Sequence, residues 1–314
     1  MTKKWSLLAV ALIIIGIAGM AYQHFRFGEP LKDYQERWDL SAEQLQNLSI
    51  NGGFDTDVSF ISSQDGSGYV EISGRFKQKV IDKLNQTKTD ADGLKLDMSV
   101  TSFEFFALDF SSPQAKITVA VPDGQQPAQF QFSLGSGDST IQGLRADHAD
   151  LKMLSGNLSV TDAKADQLSL HSSSGNVSLA QIEAPVTLNM SSGNLSLNQI
   201  SGEGSYSLSS GNLKGTGVTG GVKIKISSGN VTLNDFTGTG QIESFSGNVT
   251  LNSQRSDDLD ITSYSGNVKL ARDAAFQGFY DLQASSGSIH APDSPQQTND
   301  VIKVRTTSGN ITIK

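Results

Sequence analysis

One histidine in the chain stands among carboxylates. In Arg145-Ala-Asp-His-Ala-Asp150, His148 lies between Asp147 and Asp150, and Asp162 and Asp166 follow shortly after. Two positioned groups of suitable pKa could perform general acid–base chemistry on a sugar. The carboxylates Asp147, Asp150, Asp162 and Asp166 could instead gather around a divalent cation, which prefers oxygen ligands. The plainer alternative is a solvated turn, since Asp favours turns through its own local hydrogen bonds. The other histidines offer less. His24 follows the N-terminal apolar run, His171 comes one residue after an inward-facing Leu170, and His290 has no carboxylate beside it.

Other routes to chemistry close quickly. Cys is absent, which removes thiolate metal sites and thiol nucleophiles. Gly215-Thr-Gly-Val-Thr-Gly220 has the spacing of a dinucleotide fingerprint, but that motif must open a helix. Here Val222-Lys-Ile-Lys-Ile226 follows, a strand pattern. A net charge of −8 argues against nucleic acid as a partner. No cofactor and no catalytic set is expected, and the asparagine positions below are expected to be structural.

The elements that hold these residues are set by a repeat. Ser-Gly-Asn or a close variant recurs with its Gly at 137, 156, 175, 193, 211, 229, 247, 266, 287 and 309. Aliphatic residues stand two and four positions after that Gly, as in Leu195/Leu197 and Val231/Leu233, and five before it, as in Leu188 and Ile224. Such alternation on both sides of a turn predicts two half-buried strands per repeat. The Gly is expected at positive φ, a region that Asn also tolerates.

A hairpin meander and a stacked coil both fit a strand–turn–strand unit. The identity of the corner residue discriminates them. Asn157, Asn176, Asn194, Asn212, Asn230, Asn248, Asn267 and Asn310 follow the Gly, with Asp138 and Ser288 as departures. In stacked coils these amides would lie about 4.8 Å apart and bond along a ladder, whereas a meander would scatter them to opposite edges. The expected fold is all-β: a parallel β-solenoid of about 18-residue coils, behind an irregular β-rich N-terminal cap.

Three segments follow: an anchor over 1–29, a juxtamembrane segment and cap over 30–125, and the solenoid over 126–314. Residues 30–48 carry Leu31, Tyr34, Trp38, Leu45 and Leu48, which reads as a short amphipathic helix or a stalk. Strand-like runs follow at 48–50, 58–60, 69–72, 94–98, 103–110 and 117–121. The chain closes on Ile311-Thr-Ile313-Lys314 in mid-coil, so these residues are expected to form an uncapped edge through which copies could assemble.

From Trp5 to Tyr22 the chain has no charged residue, enough for a transmembrane helix with aromatic residues at both interfaces. Lys3 and Lys4 precede it, which places the N-terminus in the cytoplasm and the bulk of the chain outside a plasma membrane. A cleaved signal peptide ending near Gly19-Met-Ala21 is the alternative.

The frame Leu48-Ser-Ile50, Val58-Ser-Phe60, Leu94-Lys-Leu-Asp-Met98 and Ile117-Thr-Val-Ala-Val121-Pro122, followed by Ser-Gly-Asn repeats, resembles the bacterial "putative adhesin" β-strand-repeat family over roughly 45–314. With its N-terminal run the chain looks like membrane-anchored members associated with cell-envelope stress. The resemblance implies a β-helical extracytoplasmic protein without established catalytic residues. The solvent-facing Ser, Thr, Asn and Lys suit an envelope protein or polysaccharide partner through many weak hydrogen bonds, on a surface expected to lack a preformed concave apolar pocket.

Overall fold

Alternation along each repeat leaves its strands one apolar face to bury, and they bury it by stacking on the next repeat. The computed structural model describes residues 5, 9–16, 29–63, 66–90, 92–99, 112–256, 258–271 and 273–314. On one face Val186–Ser192, Gly204–Ser210, Val222–Ser228 and Gly240–Ser246 pair in parallel, residue for residue. On the other, Leu195–Ser201, Leu213–Thr219, Val231–Asn234 and Val249–Asn252 do the same. Neighbouring copies are parallel, so the fold is a β-solenoid of about ten turns and not a meander.

The interior is built of columns. Leu195, Leu213, Val231, Val249, Val268 and Ile311 form one, and Tyr206, Ile224, Ile242, Ile261 and Val304 another; none is more than 1% exposed. Each such side chain contributes roughly 1.5–3 kcal/mol by leaving water. Size is balanced locally. A Cβ on Gly204 would lie 2.4 Å from the Tyr206 ring, so the glycine makes the space that the ring fills. Burial pushes the Tyr206 phenol's pKa up.

The Ser-Gly-Asn corner explains the recurrence of residue identity. Its glycines have φ between +104° and +151°. The conformation is not the whole constraint, because a Cβ on Gly211 would sit 1.7 Å from the Gly193 carbonyl oxygen. Each glycine backbone rests on the one before it. The corner asparagines, which would tolerate positive φ, do not adopt it; their contribution is the side chain. The Asn212 backbone N–H and Nδ2 both donate to Asn194 Oδ1, at 3.1 and 3.0 Å. The pattern repeats through Asn157, Asn176, Asn194, Asn212, Asn230, Asn248 and Asn267.

Each regular coil has two further corners. Six residues after the glycine the chain turns at a left-handed residue: Asp162, Gln181, Gln199, Asp235 and Ser253 have φ of +52° to +56°, and Gly217 takes the same place. A third corner uses Gly202, Gly220 and Gly238, each again stacked on the backbone of the coil before.

Both ends of the rod depart from chain order. The first coil, Asn47–Gly52 with Asp55–Ser63, is covered on its outer side by Gly93–Asp97 and Gln114–Pro122. Beyond these, Gly68–Phe76 pairs antiparallel with Gln114–Pro122, and Lys32–Leu40 pairs antiparallel with Gly68–Phe76. The helix or stalk expected over 30–48 is therefore corrected to a strand and a short 3-10 turn at Gln44–Gln46. Tertiary pairing decides it: Tyr34 packs edge-on against Phe76, and Arg37 lies 3.6 Å over the Tyr69 ring. Helix α1, Gln78–Leu84, buries Val80, Ile81 and Leu84 over the same end. Lys83 ties it down by bonding Asp97 at 3.0 Å. Burial works against the Asp97 carboxylate, but hydrogen bonds from Ser99 and Lys83 outweigh it and hold its pKa below the ordinary range.

At the C-terminal end, Val301–Ser308 lies between Asp258–Ser265 and Phe279–Ser286, and Ile311–Ile313 lies between Val268–Leu270 and Ile289–His290. The edge expected at Ile311–Ile313 is thus internal, and the outer edge is 279–290. The coil of Ile302, Val304, Ile311 and Ile313 has the stronger apolar face, and all four side chains are buried there.

One hydrophobic core runs from Leu40 to Ile313. The strand expected over 103–110 lies outside the described residues. Of the span expected over 5–22, Trp5 and 9–16 are described and helical; among the described residues no helix is long and apolar enough to cross a membrane, and the rest of the span lies outside them.

Gly211→Ala should destabilise the protein by more than about 3 kcal/mol, combining left-handed strain with a backbone clash. Gly217→Asn, at a corner where the nearest atom to an added Cβ is 3.7 Å away, should cost less than about 1 kcal/mol. Chemical denaturation of the two variants checks the ordering.

Candidate binding groove

The third corner of the coils makes a concavity. Because Gly202, Gly220 and Gly238 stack backbone on backbone, the turns are tight, and Gly204, Gly221 and Gly240 follow them without side chains. The result is a groove of about 760 Å³ along the rod axis, from Asp166 to Lys303. The expectation of a surface without a preformed concave apolar pocket is corrected here: the groove is concave, and its lining exposes somewhat more apolar than polar surface. Thr187, Ser205, Lys223, Gln241, Asp260 and Lys303 form one in-register row of it. Lys303 Nζ pairs with Asp260 at 3.1 Å. The carboxylates Asp166, Glu203, Asp258 and Asp260 outnumber Lys223 and Lys303 in the lining. Glycines recurring every eighteen residues (Gly202, Gly220, Gly238), each followed within two positions by another (Gly204, Gly221, Gly240), are the available sequence signal for this groove.

The carboxylates around His148 take separate partners. Asp162 is at the second corner, where Arg145 Nη2 donates to its Oδ1 at 2.8 Å and Nη1 to its carbonyl at 2.7 Å. Asp150 pairs with Lys152 at 2.9 Å, and Asp147 accepts from the Gln126 amide. Asp166 is exposed at one end of the groove. His148 is exposed, in register between Gln129 and Gln167. Among the described residues no group of three or more His, Asp or Glu side chains could hold a metal ion. His171 points outward between Lys152 and Asn189, and Gly215–Gly220 lies within the strand Leu213–Thr219 and its turn, with no helix after it.

The asparagine ladder ends on different chemistry. Asn157 donates its N–H and Nδ2 to Asp138 Oδ1, at 2.8 and 3.0 Å, and the Asp138 N–H donates to Asp55 Oδ1 at 2.9 Å. At the other end Asn310 donates its N–H to Asn267 Oδ1 at 3.0 Å, and the Ser288 N–H and hydroxyl donate to Asn310 Oδ1 at 2.8 and 2.9 Å.

With Asp150 and Asp162 already paired, added calcium should leave the melting temperature unchanged. Asp162→Asn, which keeps a residue that tolerates the left-handed corner, should cost no more than about 1 kcal/mol, because the ion pair it removes is half exposed. Thermal melts with and without the ion test both.

No curated protein matches the chain. Among solved structures it is similar to a protein of Parabacteroides distasonis described as a "putative lipid binding protein" (15% identity, 89% of this chain and 96% of that one covered, TM-score 0.41). It is also similar to a "putative adhesin" of Bacteroides fragilis (14%, 90% and 97%, TM-score 0.39) and a "putative cell adhesion protein" of Clostridium sporogenes (11%, 90% and 99%, TM-score 0.28). The family model described as Toastrack DUF4097 matches residues 45–218 and again 186–314, segments that together take in the first coil and the whole ladder. The chain belongs to the Toastrack DUF4097 family.

Proposed function

We propose that the protein is a non-catalytic, adhesin-like module of the bacterial cell envelope that holds an extended polysaccharide along the groove. The groove carries this reading. Its floor is backbone fixed by stacked glycines, and its walls repeat hydrogen-bonding groups at the coil spacing of about 4.8 Å. An extended polymer can use such a series, while a compact ligand can use only part of it. Four carboxylates against two lysines favour a neutral or amino-bearing glycan over a phosphate polymer.

The same reading places the rod outside the plasma membrane, tethered by the N-terminal segment. Trp5, Val10, Leu12, Ile13, Ile14 and Ile15 are all more than half exposed, so no part of the described protein covers this apolar helix. A helix apolar on every side is covered by lipid or by another protein. Lys3 and Lys4 before it favour a cytoplasmic N-terminus. Envelope stress is the setting that the family resemblance implies for such a molecule.

The test uses the full chain in detergent micelles with purified cell-wall glycan. Binding should be retained without any shortening of the glycan, and Lys223→Ala combined with Gln241→Ala should weaken it about tenfold, roughly 1.4 kcal/mol. Unchanged binding in the double variant would remove the groove from the account, and release of soluble fragments would make the protein an enzyme. Protease digestion of spheroplasts should remove the solenoid; full protection would contradict the orientation.

A further inference from the structure

The C-terminal end of the rod is built unlike the rest. Phe279–Ser286 and Ile289–His290 form the outermost layer, and among the described residues each has a strand partner on one side only. Tyr280, Leu282 and Ala284 point to the core but are only half buried, whereas Ile302 and Val304, in register one layer below, are 1% and 0% exposed. Phe279 and Ile289 add 38% and 43% exposed apolar surface to the same end. The return loop covers only the beginning of this edge, where the Tyr280 N–H donates to Ser294 Oγ at 2.9 Å.

Natural sheet edges are blunted by lysine, proline or unpaired charge. Residues 279–290 contain no lysine or proline, and their one carboxylate, Asp281, is paired with Arg305. The opposite end of the rod is finished differently. There Thr89–Asp90 borders Gly93–Asp97 in antiparallel fashion, Lys32–Leu40 and Gly68–Phe76 close the other face, and helix α1 buries Val80, Ile81 and Leu84.

We infer that the 279–290 layer docks on the same layer of a second copy, giving a two-fold, tail-to-tail dimer. The outermost strand at the opposite end, Lys32–Leu40, also has one strand partner among the described residues, but it carries Lys32, Asp33, Glu36, Arg37 and Asp39, the charge that blunts a natural edge, so a head-to-tail filament has no matching surface to grow on. A contact between identical patches is isologous and closes at two. Across the two-fold axis the edge strands run antiparallel, which continues the sheet from one rod into the other and covers Leu282 and Ala284. Asp281 does not oppose the contact, because Arg305 of its own chain neutralises it. This inference stands apart from the groove, which lies along the side of the rod.

The absence of cysteine makes the test direct, since one introduced thiol is unique. In the full-length protein in detergent, Gln283→Cys should be joined to its own copy by a short bismaleimide. Lys88→Cys, at the capped end, should not. Sedimentation should give twice the chain mass, and Leu282→Lys combined with Ala284→Lys should return it to the chain mass with an unchanged far-ultraviolet spectrum. A monomer at every concentration, cross-linking equal at both ends, or species growing beyond a dimer would each overturn the inference. The Gln283→Cys result stands even where the lysine variant fails to fold.

Discussion

The structure depends on a contact with no side chain in it: one corner glycine resting on the carbonyl of the corner glycine before. That contact leaves no room for a Cβ, so it fixes residue type, register and coil spacing together. Once the glycines are in register, the following asparagines must be too, and each Oδ1 accepts two hydrogen bonds from the next coil. The apolar columns then follow, because parallel in-register pairing puts like residues over like. Individually each hydrogen bond contributes only about 1 kcal/mol net. Their effect is specificity, since a slip of one residue would break all of them and turn the buried faces outward.

The ladder also has direction, and its two departures mark its ends. The side chains of Asp138 and Asp55 need only accept, which a carboxylate does well. Ser288 needs only to donate, through its N–H and hydroxyl. Asn310 must do both, and so lies between Asn267 and Ser288 although it comes last in the chain. The outer position of the 279–290 coil follows from the same logic as the regular coils. At the N-terminal end an equivalent reordering places the first coil inside the second. In both cases the layer that joins the ladder is inside, and at the C-terminal end it is also the more apolar one.

The regular part of this fold was legible because its constraint acts on residue identity. Ser-Gly-Asn spacing and the flanking aliphatic residues specified the two strands, the parallel stacking and the ladder. What escaped has physical causes. The second corner is made by Asp162, Gln181, Gln199, Gly217, Asp235 and Ser253, and this mixture of residue types gives it no recurring identity to read. The strand Lys32–Leu40 is fixed by a partner 28 to 44 residues away, against a pattern that also fits a helix. The C-terminal reordering was written in Ser288, but the serine is informative only once the direction of the ladder is known. The groove was hidden for a similar reason. Its walls are ordinary polar residues, and only the eighteen-residue recurrence of Gly202, Gly220 and Gly238 distinguishes them. Counting from the repeat glycines brings the aspartates near His148 to one edge of the rod, but it does not say which side chains pair there; Arg145, Lys152 and Gln126 take them separately.

Distances between spin labels would test the in-register stack and its reordered end most directly. Thr140 and Lys269 lie in one exposed column, with Thr312 and then His290 beyond Lys269. At about 4.8 Å per layer, labels at Thr140 and Lys269 should be roughly 34 Å apart. The Thr140–Thr312 distance should exceed this by about one spacing and Thr140–His290 by about two. A His290 label nearer to Thr140 than a Thr312 label, or column distances that do not grow evenly with layer, would contradict the account.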